Sequence, residues 1–183
     1  MELTKNISQT KLIKSVLAII LGSIALTISA KIKIPFYPVP MTMQTFVVLF
    51  LGVSLGYKIG LASVSLYLLE GIIGLPVFSN SPEKGVGLVY FTGPTMGYLI
   101  GFLTAGYLAS KVNSKDNFLI VLTKLIVATS TIYIFGLLWL GTLIGWDKPI
   151  IALGAQPFLL AETFKVVLLA LITKQILKIR NII

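Results

Sequence analysis

The sequence predicts an all-α integral membrane protein, a bundle of six transmembrane helices that forms one domain over residues 1–183. Three observations carry that prediction. The chain is 56% apolar and only 11% charged, with a mean hydropathy of +0.98, whereas soluble domains are roughly 45–50% apolar and 25% charged. Its apolar residues come in blocks close to the roughly 20 residues needed to cross a hydrocarbon layer about 30 Å thick. Its cations fall between those blocks. A net charge of +9 would suggest nucleic acid in a soluble protein, but placed this way it reads as membrane topology, and no nucleic-acid partner is expected.

The first block gives a helix over about 12–30, behind Lys5, Lys11 and Lys14. Pro35, Pro38 and Pro40 then exclude a regular helix, because each lacks an amide donor and clashes with the preceding turn. That stretch is read as a rigid loop or re-entrant turn among Phe36, Tyr37 and Met41. Helix two follows over about 42–56, and the Tyr57-Lys58 junction separates it from helix three, about 59–73. Pro76, Pro82, Gly85 and Gly87 with Asn80, Glu83 and Lys84 mark the longest loop. Helix four starts near Pro94, a residue suited to a first turn, and covers about 94–110. After the polar break from Lys111 to Asn117, helix five covers about 118–140. A loop with Trp146, Asp147, Lys148 and Pro149 leads to helix six, about 157–177.

Six spans put both termini on one side. Lys5, Lys11, Lys14, Lys58, Lys111, Lys115, Lys174, Lys178 and Arg180 fall there, against Lys31, Lys33, Lys84 and Lys148 on the other. An excess of Lys and Arg marks the cytoplasmic face, so both termini are expected in the cytoplasm of a multi-pass cell-membrane protein. The Pro-rich segment and the 75–92 loop then share the outer mouth of the bundle.

Gly93, Gly97, Gly101, Ala105 and Ala109 recur every four residues and lay small side chains along one face of helix four. In lipid, such faces let helices approach closely enough for van der Waals packing to hold them. Gly52, Gly56 and Gly60 follow the same logic, as do Ala18, Gly22 and Ala25 on helix one. For helix one the alternative is a docking face for another membrane subunit.

The chain has no Cys and no His, which removes thiolate nucleophiles, imidazole bases and the usual zinc ligands. No cofactor or enzyme activity is implied. Glu162 and Lys165 stand in the apolar run of helix six, where each costs about 2.5–3.5 kcal/mol near mid-membrane on insertion scales. Their i, i+3 spacing puts them on one face. They form either a self-neutralising structural pair or a polar patch facing a cavity near the outer end. Glu70, near the outer end of helix three, is a weaker candidate, reaching either a ligand or the interface. Gln44 and Asn80 are outward amides that both donate and accept. Phe36, Tyr37, Phe78, Tyr90, Phe91, Tyr98 and Trp146 crowd the same level, as an interfacial belt or as pocket walls.

Three segments then bring a family into view. Pro38-Val39-Pro40-Met41-Thr42-Met43-Gln44-Thr45-Phe46, Gly74-Leu75-Pro76-Val77-Phe78 and Gly93-Pro94-Thr95-Met96-Gly97-Tyr98 resemble, in order and spacing, the BioY family. These are the biotin-specific substrate-capture (S) components of energy-coupling factor (ECF) transporters. Ala161, Glu162 and Lys165 resemble the family's Pro-Gly-Asp-x-x-Lys pattern, with Ala for Gly and Glu for Asp. The resemblance implies a six-helix bundle that captures biotin from outside without chemistry on the ligand. It implies contacts from Glu162, Lys165, Asn80, Gln44 and Tyr98. Lys165 would meet an anionic or carbonyl oxygen, and Glu162 would accept from N–H donors. The chain carries no Walker A motif, Gly-x-x-x-x-Gly-Lys-Ser/Thr, so its energy must come from elsewhere. By resemblance the partners are a transmembrane coupling (T) subunit and ATPase (A) subunits, with Ala18, Gly22 and Ala25 as the contact on helix one.

Overall fold

The computed structural model describes residues 2–181, with side chains for 9–180. The Lys5 side chain and the last two residues of the expected 1–183 domain lie outside what is described. Helix α1, Glu2–Lys31, leads into a two-stranded antiparallel hairpin, β1 Lys33–Ile34 and β2 Met41–Thr42. Its register pairs Lys33 with Thr42 and Ile34 with Met41. The strands are short because Pro35 and Pro40 border them and bring no amide to a ladder. The expected rigid turn is this hairpin.

Helix α2 runs Gln44–Ile72 but is broken at Gly56, where φ is 74° and ψ is −179°. A side chain at that φ is strained, so glycine is the residue that lets the chain reverse. The two arms fold back on each other: a Cβ on Gly60 would come within 2.6 Å of the Leu51 carbonyl oxygen. The two expected helices, 42–56 and 59–73, are these arms, with the reversal one residue before the Tyr57-Lys58 junction. Helix α3, Met96–Ala109, begins after Pro94 and Thr95. Helix α4, Phe118–Ile144, is capped by Asn117, whose Oδ1 accepts from the Ile120 amide at 2.9 Å. It continues four residues beyond the expected end, to Gly145 with φ 95°. A short helix α5, Ile150–Gly154, and a 3-10 turn, Gln156–Phe158, precede α6, Leu159–Ile176.

The stretches Gln9–Lys31, Gln44–Ile72, Phe118–Ile144 and Ile150–Ile176 are each long and apolar enough to cross a membrane. Because α2 doubles back, its arms of residues 44–55 and 57–72 are about 18 and 24 Å long at 1.5 Å per residue, and α3 is about 21 Å. All three fall short of a layer of about 30 Å. The hairpin and the 73–95 loop adjoin the ends of these short helices, so irregular backbone has to cover the rest of such a depth. Irregular backbone is tolerated at such depth only where protein or a cavity surrounds it.

Small residues set the packing. A Cβ on Gly97 would come within 2.2 Å of the Phe135 carbonyl oxygen, and one on Gly101 within 2.6 Å of the Ile132 Cα, so α3 lies directly on α4. Gly52 meets Gly106 and Ala109 where the first arm of α2 crosses α3. At the basic end, Arg180 Nη2 donates to the carbonyls of Val53 at 2.6 Å, Gly52 at 3.2 Å and Ser110 at 3.3 Å. Its Nη1 reaches the Val112 carbonyl at 3.4 Å. One guanidinium thereby gathers the C-terminal ends of the first α2 arm and of α3, whose last carbonyls lack helical partners.

Candidate functional site

The hairpin end of the bundle encloses a cavity between the hairpin, the start of α2, the 78–95 loop, α3, α4 and the start of α6. Glu162 lies in the first turn of α6, where the helix N-terminus favours a carboxylate. It and Lys165 are buried, 6% and 5% exposed. Lys165 Nζ donates to the Thr42 carbonyl at 2.6 Å, to Glu162 Oε1 at 2.8 Å and to Thr45 Oγ1 at 3.1 Å. An ammonium has three donors, so Lys165 is saturated within the chain. Thr45 Oγ1 in turn donates to Glu162 Oε1 at 2.9 Å.

Glu162 Oε2 is different. It is buried and makes no well-formed hydrogen bond, like Ser54 Oγ and Arg180 Nε among the described side chains, and the Tyr133 hydroxyl is the neighbouring group that interacts with the Glu162 carboxylate. Of these three residues, Glu162 lines the cavity. A buried acceptor left unpaired costs about 1–3 kcal/mol or more when charged, so this oxygen calls for a donor from the cavity.

Gln44 also lines the cavity. Its Nε2 donates to the Tyr67 hydroxyl at 2.6 Å, and its Oε1 lies 3.2 Å from the Thr42 hydroxyl that donates to it. Tyr98 presents its ring to the cavity, while its hydroxyl donates to the Gly154 carbonyl at 2.8 Å. Asn80 stands apart. Its Oδ1 accepts from Lys33 Nζ at 3.1 Å, and Phe78 and Ser79 form the wall at this point. Glu70 turns away as well, accepting a hydrogen bond from Ser23 of α1. Lys165 borders a separate groove with Phe164 and Met41 and reaches the cavity through Glu162 and Thr45.

The aromatics divide. Phe78, Tyr90 and Tyr98 are buried in the cavity wall, whereas Tyr37 is 84% and Trp146 62% exposed. Phe78 stacks on Tyr90 with centroids 4.6 Å apart and meets Tyr67 edge-on at 5.3 Å. Tyr133 and Phe158, on α4 and the turn before α6, complete the wall. Sequence reading singled out none of Tyr67, Tyr133 or Phe158, and nothing in their neighbours' spacing marks them. The cavity is about 50 Å3, room for a few waters at roughly 10–15 Å3 each. Above it, Lys31 Nζ holds the carbonyls of Phe78 at 2.7 Å and Ser81 at 2.9 Å, and Lys33 Nζ holds that of Ser79 at 2.7 Å.

On α1, Gly22 faces inward: a Cβ there would come within 2.5 Å of Ser63 Oγ. This member of the expected docking stripe is used by packing within the chain, and Ala18 and Ala25 are half-buried beside it.

Comparison with known proteins matches residues 3–181 to the model of the BioY family. The probable biotin transporter BioY of Pyrococcus horikoshii is 34% identical over 154 residues, covering 84% of this chain and 90% of the relative. The biotin transporter BioY of Thermotoga maritima is 34% identical over 155 residues, again 84% and 90%. The fold is similar to the crystal structure of the S-component for biotin from an ECF-type ABC transporter. That match has a TM-score of 0.77 at 24% identity, over 92% of this chain and 93% of the other.

Proposed function

The chain belongs to the BioY family, and from that membership we propose that it is a biotin-binding S component, a multi-pass membrane protein that captures its vitamin without altering it. The observation that carries the reading is Glu162, a buried carboxylate at the cavity wall whose Oε2 makes no well-formed hydrogen bond within the chain. Biotin's ureido group has two N–H donors, one of which satisfies that oxygen, and its apolar bicycle suits walls of Phe78, Tyr90, Tyr98 and Phe158. Gln44 is the second polar contact. Lys165 serves by pairing with Glu162 and holding its carboxylate in place. Asn80 joins the site only if Lys33 releases it.

A cavity of about 50 Å3 is well below the roughly 300–1,000 Å3 of small-molecule sites, so capture requires the wall to move. The 78–81 segment is the part to move, since the Lys31 and Lys33 side chains clip it down. The Lys and Arg excess at the Gly56 end supports termini in the cytoplasm and a cavity on the outer side. Transport then draws on a T subunit and ATPase A subunits. The partner face is the exposed side of α1, where Leu17 is 53% and Leu21 64% exposed, with half-buried Ala18 and Ala25 at its edge. Purified protein should bind biotin at micromolar concentration with a raised melting temperature. Absence of both effects sinks the reading.

A further inference from the structure

At the end of the bundle opposite the cavity, a groove of about 400 Å3 runs between the end of α3 and the start of α4. Leu108, Leu119, Ile120 and Val127 are among its walls, and Lys111 and Lys124 stand over it. Leu119 and Val127 are 68% and 52% exposed, and the groove opens onto the lipid-facing side of α4, where Ile126, Ile134 and Leu138 are exposed too. Lys124 Nζ donates to the Lys111 carbonyl at 2.9 Å and pairs with Asp116 at 2.6 Å. The Lys111 ammonium instead lies 4.4 Å from the centroid of the Tyr107 ring and 6.0 Å from that of Tyr57, which Lys58 approaches to 5.9 Å. Asp116 pairs with Lys124 alone, so Lys58, Lys111 and Lys124 leave a net positive charge at this end of an apolar trough.

We propose that this groove is a binding site for one anionic phospholipid, its phosphate on Lys111 and Lys124 and one acyl chain between α3 and α4. Charge complementarity selects the headgroup, because a lysine near an anionic surface favours it by a factor of about five. Apolar continuity selects a lipid over a soluble anion. The acyl chain lies along the Leu119, Thr123 and Val127 face, which repeats at i, i+4 and i+8.

The test uses the full chain in nanodiscs, with native mass spectrometry counting retained lipid. Phosphatidylglycerol should be retained about fivefold over phosphatidylcholine. Lys111→Gln should abolish the preference, because the Lys124 charge is already matched by Asp116, while Lys178→Gln, at the same end but outside the groove, should leave it intact. Equal retention of the two lipids by the unaltered protein overturns the proposal without needing any variant. So does equal loss in both variants, which would mean a diffuse basic collar. Displacement of the lipid by inorganic phosphate alone would overturn the assignment to a lipid, and a site for an acidic protein segment would show as lipid indifference.

Discussion

The Gln44 amide donates a 2.6 Å hydrogen bond to the Tyr67 hydroxyl, although the two stand 23 residues apart in one helical run. An unbroken helix would separate them by about 35 Å. The contact exists because Gly56 reverses the chain, and it places Gln44 against the cavity.

Gly56→Val is therefore expected to strain the reversal, since a β-branched residue at φ 74° costs about 1–3 kcal/mol. Denaturation in detergent should show a lower midpoint. Biotin affinity should fall with it, as Gln44 loses Tyr67.

Glu162 and Lys165 should prove unequal. Glu162→Ala removes the cavity-facing acceptor and should weaken biotin more than tenfold, about 1.4 kcal/mol. Lys165→Ala should also weaken it more than tenfold, but through an unpaired buried carboxylate that costs about 3–5 kcal/mol of stability. Pairing Glu162→Gln with Lys165→Met should recover much of that stability and none of the binding. Unchanged affinity in both single variants would return the pair to a purely structural role.

Gly97→Ala should lower the melting temperature more than Gly74→Ala loses through its φ of 100°. At Gly97 the new methyl meets the backbone of α4 at 2.2 Å, and overpacking costs about 1–3 kcal/mol. At Gly74 nothing lies within 4 Å. Calorimetry in one detergent compares them directly.

Arg180→Ala should destabilise the basic end by about 1.5–3 kcal/mol, the range for hydrogen bonds to a charged group. It leaves the carbonyls of Gly52, Val53, Ser110 and Val112 without this donor. Hydrogen exchange should rise around Gly56 and Ser110 and stay unchanged near the cavity. Uniform exchange across the bundle would contradict a local capping role.

Burial pushes the Asp116 carboxyl up, but the Lys124 ammonium and the Asn113 amide more than offset it and hold it below its usual range. A depressed carboxyl stabilises the fold above its unfolded pKa of roughly 3.9. The gain is lost as pH falls through the lower folded value. Asp116→Asn should thus lower stability at neutral pH, by about 1 kcal/mol or less for a half-buried pair at the end of the bundle, and should match the unaltered protein in strong acid. A difference that persists below pH ~2 would contradict this linkage.

Much of the fold was legible. Proline and glycine positions delimit the elements because they act through the local backbone, so Pro35, Gly56 and Pro94 each mark a boundary to within a residue or two. The i, i+3 spacing of Glu162 and Lys165 likewise puts them on one helix face whatever surrounds it. Thr42 and Thr45 were visible as motif residues, yet their bonds to this pair span more than a hundred residues of chain and no local pattern announces them.

By itself the sequence determined the membrane bundle, its six helical segments, the clustering of its positive charge and the pair near the start of α6. These depend on hydropathy, backbone chemistry and short-range spacing. Only the tertiary structure decided that Lys165 spends its three donors inside the chain while one Glu162 oxygen makes no well-formed hydrogen bond. It alone turned Phe78, Tyr90 and Tyr98 inward and Tyr37 and Trp146 outward, aimed Asn80 at Lys33, and set Gly22 against Ser63. The reason is the solvent: lipid is as apolar as the bundle interior, so a membrane helix carries little amphipathic contrast to say which face meets a neighbour, and that choice is made by packing across the whole chain.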